Sequence, residues 1–391
     1  METRRIALCM RLNDFYEHGI ARGVVRYAKE RDGWQLFGYG WMFRPLRDLT
    51  RWRGDGIVAR VESVRDARRL AALKRPVVDV AGAVLDAGFV QVNNDDVATG
   101  RLAGEHLVGC GFRHFGFCGV RSVGWSRERR DGFAQAIRAV ASHIPVFEET
   151  LPWWEKPDKF GALRAWVAKL PRPCGLFACN DTAGLKLTAL CRRLGLHVPD
   201  QVAVIGVDNE DVLCELSAPA LSSIPCDCER IGYEAAATLD RILSGAARPA
   251  QPLRIPPRGP VVRASSDVLA SADPLVSAAA RYIREHVHEG TNVHDVLRNV
   301  PISRRALEIR FRRELGRTIH DEIVRCRIER ARHLLTESDL PIARVAERSG
   351  FGTHPRFHCV FRARTGQAPL AYRQAHRSGS TRGAERGPAR A

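Results

Sequence analysis

The chain has 391 residues, more than one hydrophobic core usually organises, and about 150 residues per domain predicts two or three domains. Its 45% hydrophobic and 27% charged residues are those of an ordinary globular chain, and no apolar run approaches the roughly 18 residues that cross a bilayer, so membrane insertion is not expected. A formal charge of +17 favours a polyanionic partner, because Lys and Arg gain by releasing counterions from phosphates, although arginines spread over a solvated surface give the same total.

Arg4-Arg5 followed by Ile6–Met10 has the start of a secretory leader, but the apolar run stops at Arg11, short of an h-region, and a cytoplasmic location is expected. The eleven cysteines are odd in number and follow no framework spacing, which in a reducing compartment reads as free thiols. Cys226-Asp227-Cys228 is the one close pair. Without a second pair or a neighbouring His it reads as a loop, and no metal and no cofactor are expected.

In chain order, Arg5–Met10 is a strand, Gly19–Glu30 a helix, and Trp34–Tyr39, Gly56–Ala59 and Pro76–Val80 are further strands. The alternation continues through Ala98–Val108, Phe115–Cys118, Gly132–Val140, Leu163–Leu170, Gly175–Ala178, Thr182–Leu194 and Val202–Val207. Strands alternating with helices predict βαβ units and parallel sheets, whose ligands bind beyond the carboxyl ends of the strands. Pro, Gly and Arg then become frequent over Gly245–Gly259, although Leu253-Arg254-Ile255 and Val261-Val262 remain candidates for edge strands.

Helical patterns resume at Pro274–His286, with Asp273 as cap and Pro274 in the first turn, where its missing N–H costs little. Val293, Val296 and Leu297 share one face. After a turn, Ser303 caps a basic helix with Leu307 and Phe311 one turn apart. Thr318–Leu335 reads as a long connecting helix. Ile342, Val345 and Ala346 precede Gly350-Phe351, after which Thr353 caps a helix with Phe357 and Phe361 as its buried stripe. These are two helix-turn-helix patterns about fifty residues apart, and the pairing predicts sequence-specific binding to double-stranded DNA.

Val92-Asn93-Asn94-Asp95, Gly111–Phe117, Arg129-Arg130-Asp131-Gly132-Phe133, Asn180-Asp181-Thr182-Ala183, Val198-Pro199-Asp200 and Val204–Asn209, in this order and spacing, resemble the ligand-binding core of LacI/GalR-type repressors and periplasmic sugar-binding proteins. The resemblance covers roughly residues 4–262. Ala218–Ile224 is similar to that family's segment where the chain passes between lobes. It implies an α/β, bilobal N-terminal domain of two doubly wound parallel sheets. Those repressors carry a DNA-binding headpiece before the sugar domain, whereas the first strand here begins almost at Met1, so the reader is expected elsewhere.

The resemblance also places ligand contacts. A carboxylate just after a strand, as Asp181 and Asp208 are, points into the cleft and accepts hydrogen bonds from sugar hydroxyls, while the Arg129 fork supplies donors. Asn13 and Tyr16 lie on the first strand-to-helix loop, where the family places further contacts. The other reading makes Asp181 a cap of the helix near Thr182 and Asp208 the start of a turn. Trp125, Trp153 and Trp154 are candidates for stacking on a sugar face, or for core or rim packing.

The segment from Ile342 through Gly350-Phe351, Phe357, Phe361, Gly366, Pro369, Tyr372 and Arg373 closely resembles the signature of AraC/XylS-type regulators. It implies an all-α C-terminal domain with two helix-turn-helix units entering successive major grooves about 34 Å apart. The first recognition helix would offer Arg304, Arg305 and Glu308 to base edges and the second His354, Arg356 and Cys359; arginine suits guanine O6/N7 and glutamate accepts from cytosine N4. About half of the arginines are expected on phosphates instead. His354 and His358, one turn apart, read either as a metal pair or as a groove-facing pair. Pro301 stands where a turn glycine is usual, and since proline cannot take a positive φ the first turn must bend differently.

The expected organisation is residues 1–265 sensor, 266–273 linker, 274–377 DNA-binding domain and 378–391 disordered basic tail. A sensor followed by tandem readers is an uncommon order shared with bacterial sugar-operon regulators. Shared details are Tyr16-Glu17, Trp125 four residues before Arg129, Ile205–Glu210, and Arg263 through Ser266-Asp267. That resemblance implies a homodimeric activator responsive to D-xylose, or alternatively to another pentose, hexose, polyol or small polar metabolite, acting on operator DNA with RNA polymerase. No nucleophile elbow, phosphate-cradling glycine loop or paired-histidine zinc motif is present in the sequence, so catalysis is not expected.

Overall fold

β1 (Arg4–Cys9), α1 (Phe15–Glu30), β2 (Trp34–Tyr39), β3 (Gly56–Ala59), α2 (Val64–Ala71), β4 (Val77–Asp79) and β5 (Val90–Asn94) build the first lobe in the computed structural model. The residues described are 3–31, 33–39, 49, 52–84, 87–150, 160–268 and 273–376. Trp153, Trp154, residues 269–272 of the expected linker and the basic tail lie outside them. The chain divides into two units, Met1–Ala270 and Ser271–Ala391.

α3 (Asp96–Gly109), β6 (His114–Val120), α4 (Gly124–Ile137), β7 (Val146–Glu149), α5 (Phe160–Lys169), β8 (Cys174–Ala178), α6 (Asp181–Arg193), β9 (Val202–Asp208), α7 (Asp211–Leu216) and β10 (Ser222–Pro225) follow. α8 (Cys228–Leu243) and β11 (Leu253–Ile255) complete the helices and strands of the unit's described residues. The first sheet runs β11-β5-β4-β3-β1-β2 and the second β10-β9-β8-β6-β7, with every pairing parallel. β3 and β8 are buried along their whole length, which is why they read as unbroken apolar runs rather than alternating ones. Asp14, Ser63, Asp95, Asn180 and Asp227 each accept a hydrogen bond from a backbone amide in the first turn of the helix they precede.

The chain changes lobe three times. β5 lies in the first sheet but leads into α3, which packs on the second; β10 lies in the second but leads into α8, which packs on β3, β4 and β5. After β11 in the first sheet, Val261 bridges antiparallel to Ser223 of β10. Residues 94–96, 225–228 and 256–261 are therefore the segments that cross between the lobes, and Asp96 and Cys226 lie on two of them.

Some elements differ from the expectation. α1 starts at Phe15 rather than Gly19, because its first turn buries Glu17 instead of an apolar residue. α4 starts at Gly124 rather than Gly132, since the side chains buried in its first two turns include Ser126 and Arg129. α2 and α8 were not among the expected helices, although α8 carries a regular stripe of Ile231, Ala235 and Leu239.

The described residues of the second unit form helices and no strand: α9 (Pro274–His286), α10 (Val293–Arg298), α11 (Arg304–Leu315), α12 (Ile319–Glu337), α13 (Ile342–Arg348), α14 (His354–Thr365) and α15 (Pro369–His376), with a 3-10 turn at Val287–Glu289. Ile328, Ala331 and Leu335 of α12 pack in one core with Val345, Ala346, Phe351, Phe357 and Phe361. α12 also packs on α9. Thr318 and Asp321 form a reciprocal capping box at its start.

Candidate functional site

Arg129 is the centre of the polar cluster in the first unit. α3 and α4 approach so closely that a Cβ on Gly100 would lie 1.9 Å from Arg129 O, and one on Gly132 2.0 Å from Val97 O. The guanidinium is thereby delivered to the start of α3. Nε donates to Asp96 Oδ1 at 2.7 Å and Nη1 to Cys179 O at 2.6 Å, while Nη2 lies 3.9 Å from Cys226 Sγ and 3.8 Å from Asp208 Oδ1. The group sits over the Trp125 ring at 4.8 Å, so Trp125 supports the arginine. Burial disfavours the charge, but Asp96 and Asp208 outweigh it and raise the pKa above the usual arginine range.

Asp208 ends β9 at φ 104, followed by Asn209 at φ 53, a left-handed stretch that residues other than glycine seldom adopt. Arg263 Nη1 donates to Asn209 Oδ1 at 2.8 Å and Asn209 N to Ser223 Oγ at 3.0 Å, which fix the turn. The Asp208 side chain is 23% exposed against 3% for Asp96, and the Cys226 thiol donates to its Oδ1 at 3.6 Å. Burial raises its pKa and Arg129 opposes the rise, with Asp14 and Asp96 adding to it. Asp208 thus presents an open acceptor next to a fixed cation.

Asp181 is placed otherwise. Its Oδ1 accepts from Ser223 Oγ at 2.6 Å, and its Oδ2 accepts from Glu210 N at 2.8 Å and from Cys214 Sγ at 3.5 Å. It is 1% exposed, and a Cβ on Gly206 would lie 2.3 Å from its Oδ1. Its carboxylate is saturated within the protein, so it braces the loop after β9. Nor does it cap the helix: that position is Asn180, whose Oδ1 accepts from Ala183 N at 2.9 Å.

On the first-lobe side, Tyr16 donates from its hydroxyl to Val80 O at 2.8 Å and lies under Arg60, whose Cζ is 5.7 Å from the ring centre. Its pKa is raised by burial and then by Cys228, Cys226 and Asp96, the last two of which also contact Arg129. Asn13 is exposed, with its backbone N donating to Glu17 Oε2 at 3.1 Å. Glu17 also accepts from Arg11 N at 3.2 Å, which secures a loop containing Leu12 at φ 54, and Arg60 pairs with Asp14, Glu17 and Glu62. The structure brings Arg129, Asp208 and Tyr16 to one cluster, with Asn13 at its outer edge.

Sequence reading missed Asp96, Cys226 and Asn180. Asp96 stands in the first turn of a helix directly after a strand, a position that signals a site; Cys226 was marked only as half of the close pair Cys226-Asp227-Cys228, which read as a loop and gave no hint of a neighbour at Asp208. A fixed guanidinium beside an open carboxylate offers donors and acceptors in the alternation that neighbouring hydroxyls of a neutral polyol require. Among the described residues no group of three or more His, Cys, Asp and Glu side chains is arranged to hold a metal ion. No helix of the described residues is long and apolar enough to cross a membrane.

In the second unit, Ser303 caps α11 and accepts from Ala306 N, and Gly316 ends it at φ 67. Thr353 occupies the corresponding position of α14 but makes no side-chain cap bond; the helix instead carries Pro355 in its first turn and ends at Gly366, φ 76. Arg304 and Arg305 are exposed, as are His354, Arg356 and Cys359. Glu308 differs: it is half-buried, and its Oε2 is buried without a hydrogen-bond partner. Arg310 is drawn to Asp273 at 2.9 Å and Arg364 to Asp321 at 3.1 Å. No residue from Asn299 to Ser303 takes a positive φ, so the turn at Pro301 bends without the left-handed residue that Gly350 supplies at φ 80 in the second unit.

A two-lobed sensor fold with a polar cluster at its crossing segments, followed by two helix-turn-helix units on a shared helix, defines a sugar-sensing DNA-binding regulator. Residues 105–266 match the periplasmic binding protein-like domain family and residues 296–375 a helix-turn-helix domain family. The chain is 32% identical to the xylose operon regulatory protein of Escherichia coli strain K12, over 95% of this chain and 97% of that one. It is 29% identical to that of Haemophilus influenzae, over 94% and 98%. A solved structure of the xylose-binding transcription activator xylR covers 97% of this chain and all of its own, at 30% identity and a TM-score of 0.62. A LacI family regulator from Enterococcus faecium with bound ribose, at 20% identity and a TM-score of 0.54 over 67% of this chain, shares the fold of the first unit. The chain belongs to the family of xylose operon regulatory proteins. It is a transcription regulator, as its relatives are, and not an enzyme.

Proposed function

We propose that the chain is a D-xylose-responsive activator in which sugar held by Arg129 and Asp208, with Tyr16 and Asn13 on the opposite lobe, closes the sensor. The observation that carries this reading is the open Asp208 carboxylate beside the buried Arg129 guanidinium, in a chain whose relatives over nearly its whole length are xylose operon regulators. Asp181 acts by bracing the Asp208 turn. Arg304, Arg305, His354, Arg356 and Cys359 face operator DNA, with Glu308 entering only after leaving its half-buried position. A homodimer on the bacterial nucleoid, recruiting RNA polymerase, completes the reading. Sugar shifts it only through unequal affinity for the two arrangements of the lobes.

The test is titration of the purified full chain with D-xylose and a panel of pentoses, hexoses and polyols, followed by tryptophan fluorescence and calorimetry. Saturable binding of D-xylose at one site per chain is the expected result. Saturation by a different sugar alone would replace the effector, and no saturation by any would overturn the sugar assignment.

A further inference from the structure

Ile309 is 58% exposed on α11, an aliphatic side chain on a helix whose other outward positions are basic. At about 100° per residue it lies about 160° around the helix from the buried Phe311, at the middle of the outward face. Arg305 and Arg313 flank it one turn away on either side and Arg312 stands three residues on, all exposed. An isolated surface apolar residue needs no explanation. This one is ringed by guanidinium groups that suit a phosphate-lined groove, and it occupies a defined place in a repeat.

α11 and α14 correspond at an offset of about fifty residues: Ser303 with Thr353, Leu307 with Phe357, Phe311 with Phe361, and the left-handed Gly316 with Gly366. The same offset sets Ile309 on Cys359, one of the exposed residues of α14 already assigned to base edges. Meanwhile Glu308, the carboxylate assigned to the first reader, is turned partly inward. The outward centre of α11 therefore carries no hydrogen-bonding group. We propose that Ile309 reads a thymine through its 5-methyl group, the one apolar feature that a major groove displays, so that the first helix-turn-helix specifies an A·T pair by contact rather than by hydrogen bond. The inference rests on the DNA-binding reading of the second unit, and its failure is separable from that reading.

The experiment uses the full chain. A preferred site is selected from a randomised duplex pool, and each of its thymines is then replaced singly by deoxyuridine, which removes only the methyl. At one position within the first reader's half of the site, affinity of the unaltered chain should fall about fourfold, the worth of one buried methyl. Ile309→Ala should abolish that sensitivity and accept other bases there, with its salt dependence unchanged because no phosphate contact is lost. Ile309→Val should retain part of the effect. A site whose thymines are all insensitive to the methyl, or an Ile309→Ala chain that keeps both the sensitivity and the base preference, overturns the proposal while leaving DNA binding intact. Failure to enrich any sequence would remove both readings.

Discussion

Arg129 Nη2 and Asp208 Oδ1 stand 3.8 Å apart, beyond hydrogen-bond reach, while the other guanidinium nitrogens are bound to Asp96 and Cys179. The arginine is thus held by its back, and its front is shared with a carboxylate that it does not consume. Cys226 Sγ stands at the point where both meet, 3.9 Å from Nη2 and donating to Asp208 Oδ1 at 3.6 Å.

Replacing Asp208 with asparagine keeps the shape and tolerates the left-handed backbone, but loses the charged acceptor. Sugar affinity should fall about ten- to hundredfold, the worth of a hydrogen bond to a charged group. Affinity for DNA without sugar should be retained. Calorimetry on Asp208→Asn and a parallel footprint check both halves; sugar binding at the unaltered strength would place Asp208 outside the site.

Asp181 should behave in the opposite sense. Asp181→Ala strands the buried Ser223 Oγ and the partly buried Glu210 N and leaves a void, a combination expected to cost about 2–4 kcal/mol of stability in the first unit. Saturating sugar should recover part of the loss in melting temperature through mass action. A variant as stable as the parent, yet unable to bind sugar, would make Asp181 a direct contact instead.

The parallel sheets were legible because strands buried on both faces, such as Val202–Val207, have no polar residue to interrupt them. The boundaries of α1 and α4 were not, because their opening turns bury Glu17, Ser126 and Arg129, and a helix that buries polar groups loses its apolar period. Arg129 and Asp208 were reached through resemblance. Asp96 and Cys226 were missed because their proximity to Arg129 is created by two different crossing segments, and local spacing carries no record of it. The absence of a left-handed residue at Pro301 was legible, since proline's ring forbids it in any context.

Glu322 is fully buried in the second unit between Arg317 and Arg325, both at 2.7 Å. Burial alone would raise its pKa, but Arg325 and then Arg317 hold it down to about 2, from an ordinary 4.5. A depressed folded-state value means that the ionised pair stabilises fully above the unfolded pKa and is lost as pH falls through the folded one. Unfolding of the helical unit by denaturant should therefore weaken by roughly 3 kcal/mol between about pH 5 and pH 2. In Glu322→Gln that part of the slope should disappear; an identical pH profile in the variant would mean that other groups carry it.

Gly350 joins α13 to the second reading helix at φ 80, and a Cβ there would lie 2.0 Å from Val287 O and 3.3 Å from Arg327 Nε. Arg327 itself donates from Nη2 to Thr291 O at 2.9 Å and lies near the Phe351 ring, so the turn is seated against the segment that leads into the first helix-turn-helix. Gly366 has a similar φ of 76 but nothing within 4 Å of an added Cβ. Both alanine variants bear the backbone strain of a left-handed residue, about 1 kcal/mol. Only Gly350→Ala must also displace a backbone carbonyl, which should bring its cost to about 3 kcal/mol or more. Denaturant unfolding of the full chain, followed in the transition of the helical unit, should separate the two by at least about 2 kcal/mol. Operator affinity should drop sharply in Gly350→Ala alone, with sugar titration of the first unit unchanged in both; equal stabilities would mean that the turn relaxes away from Val287 and that the seat does not couple the two readers.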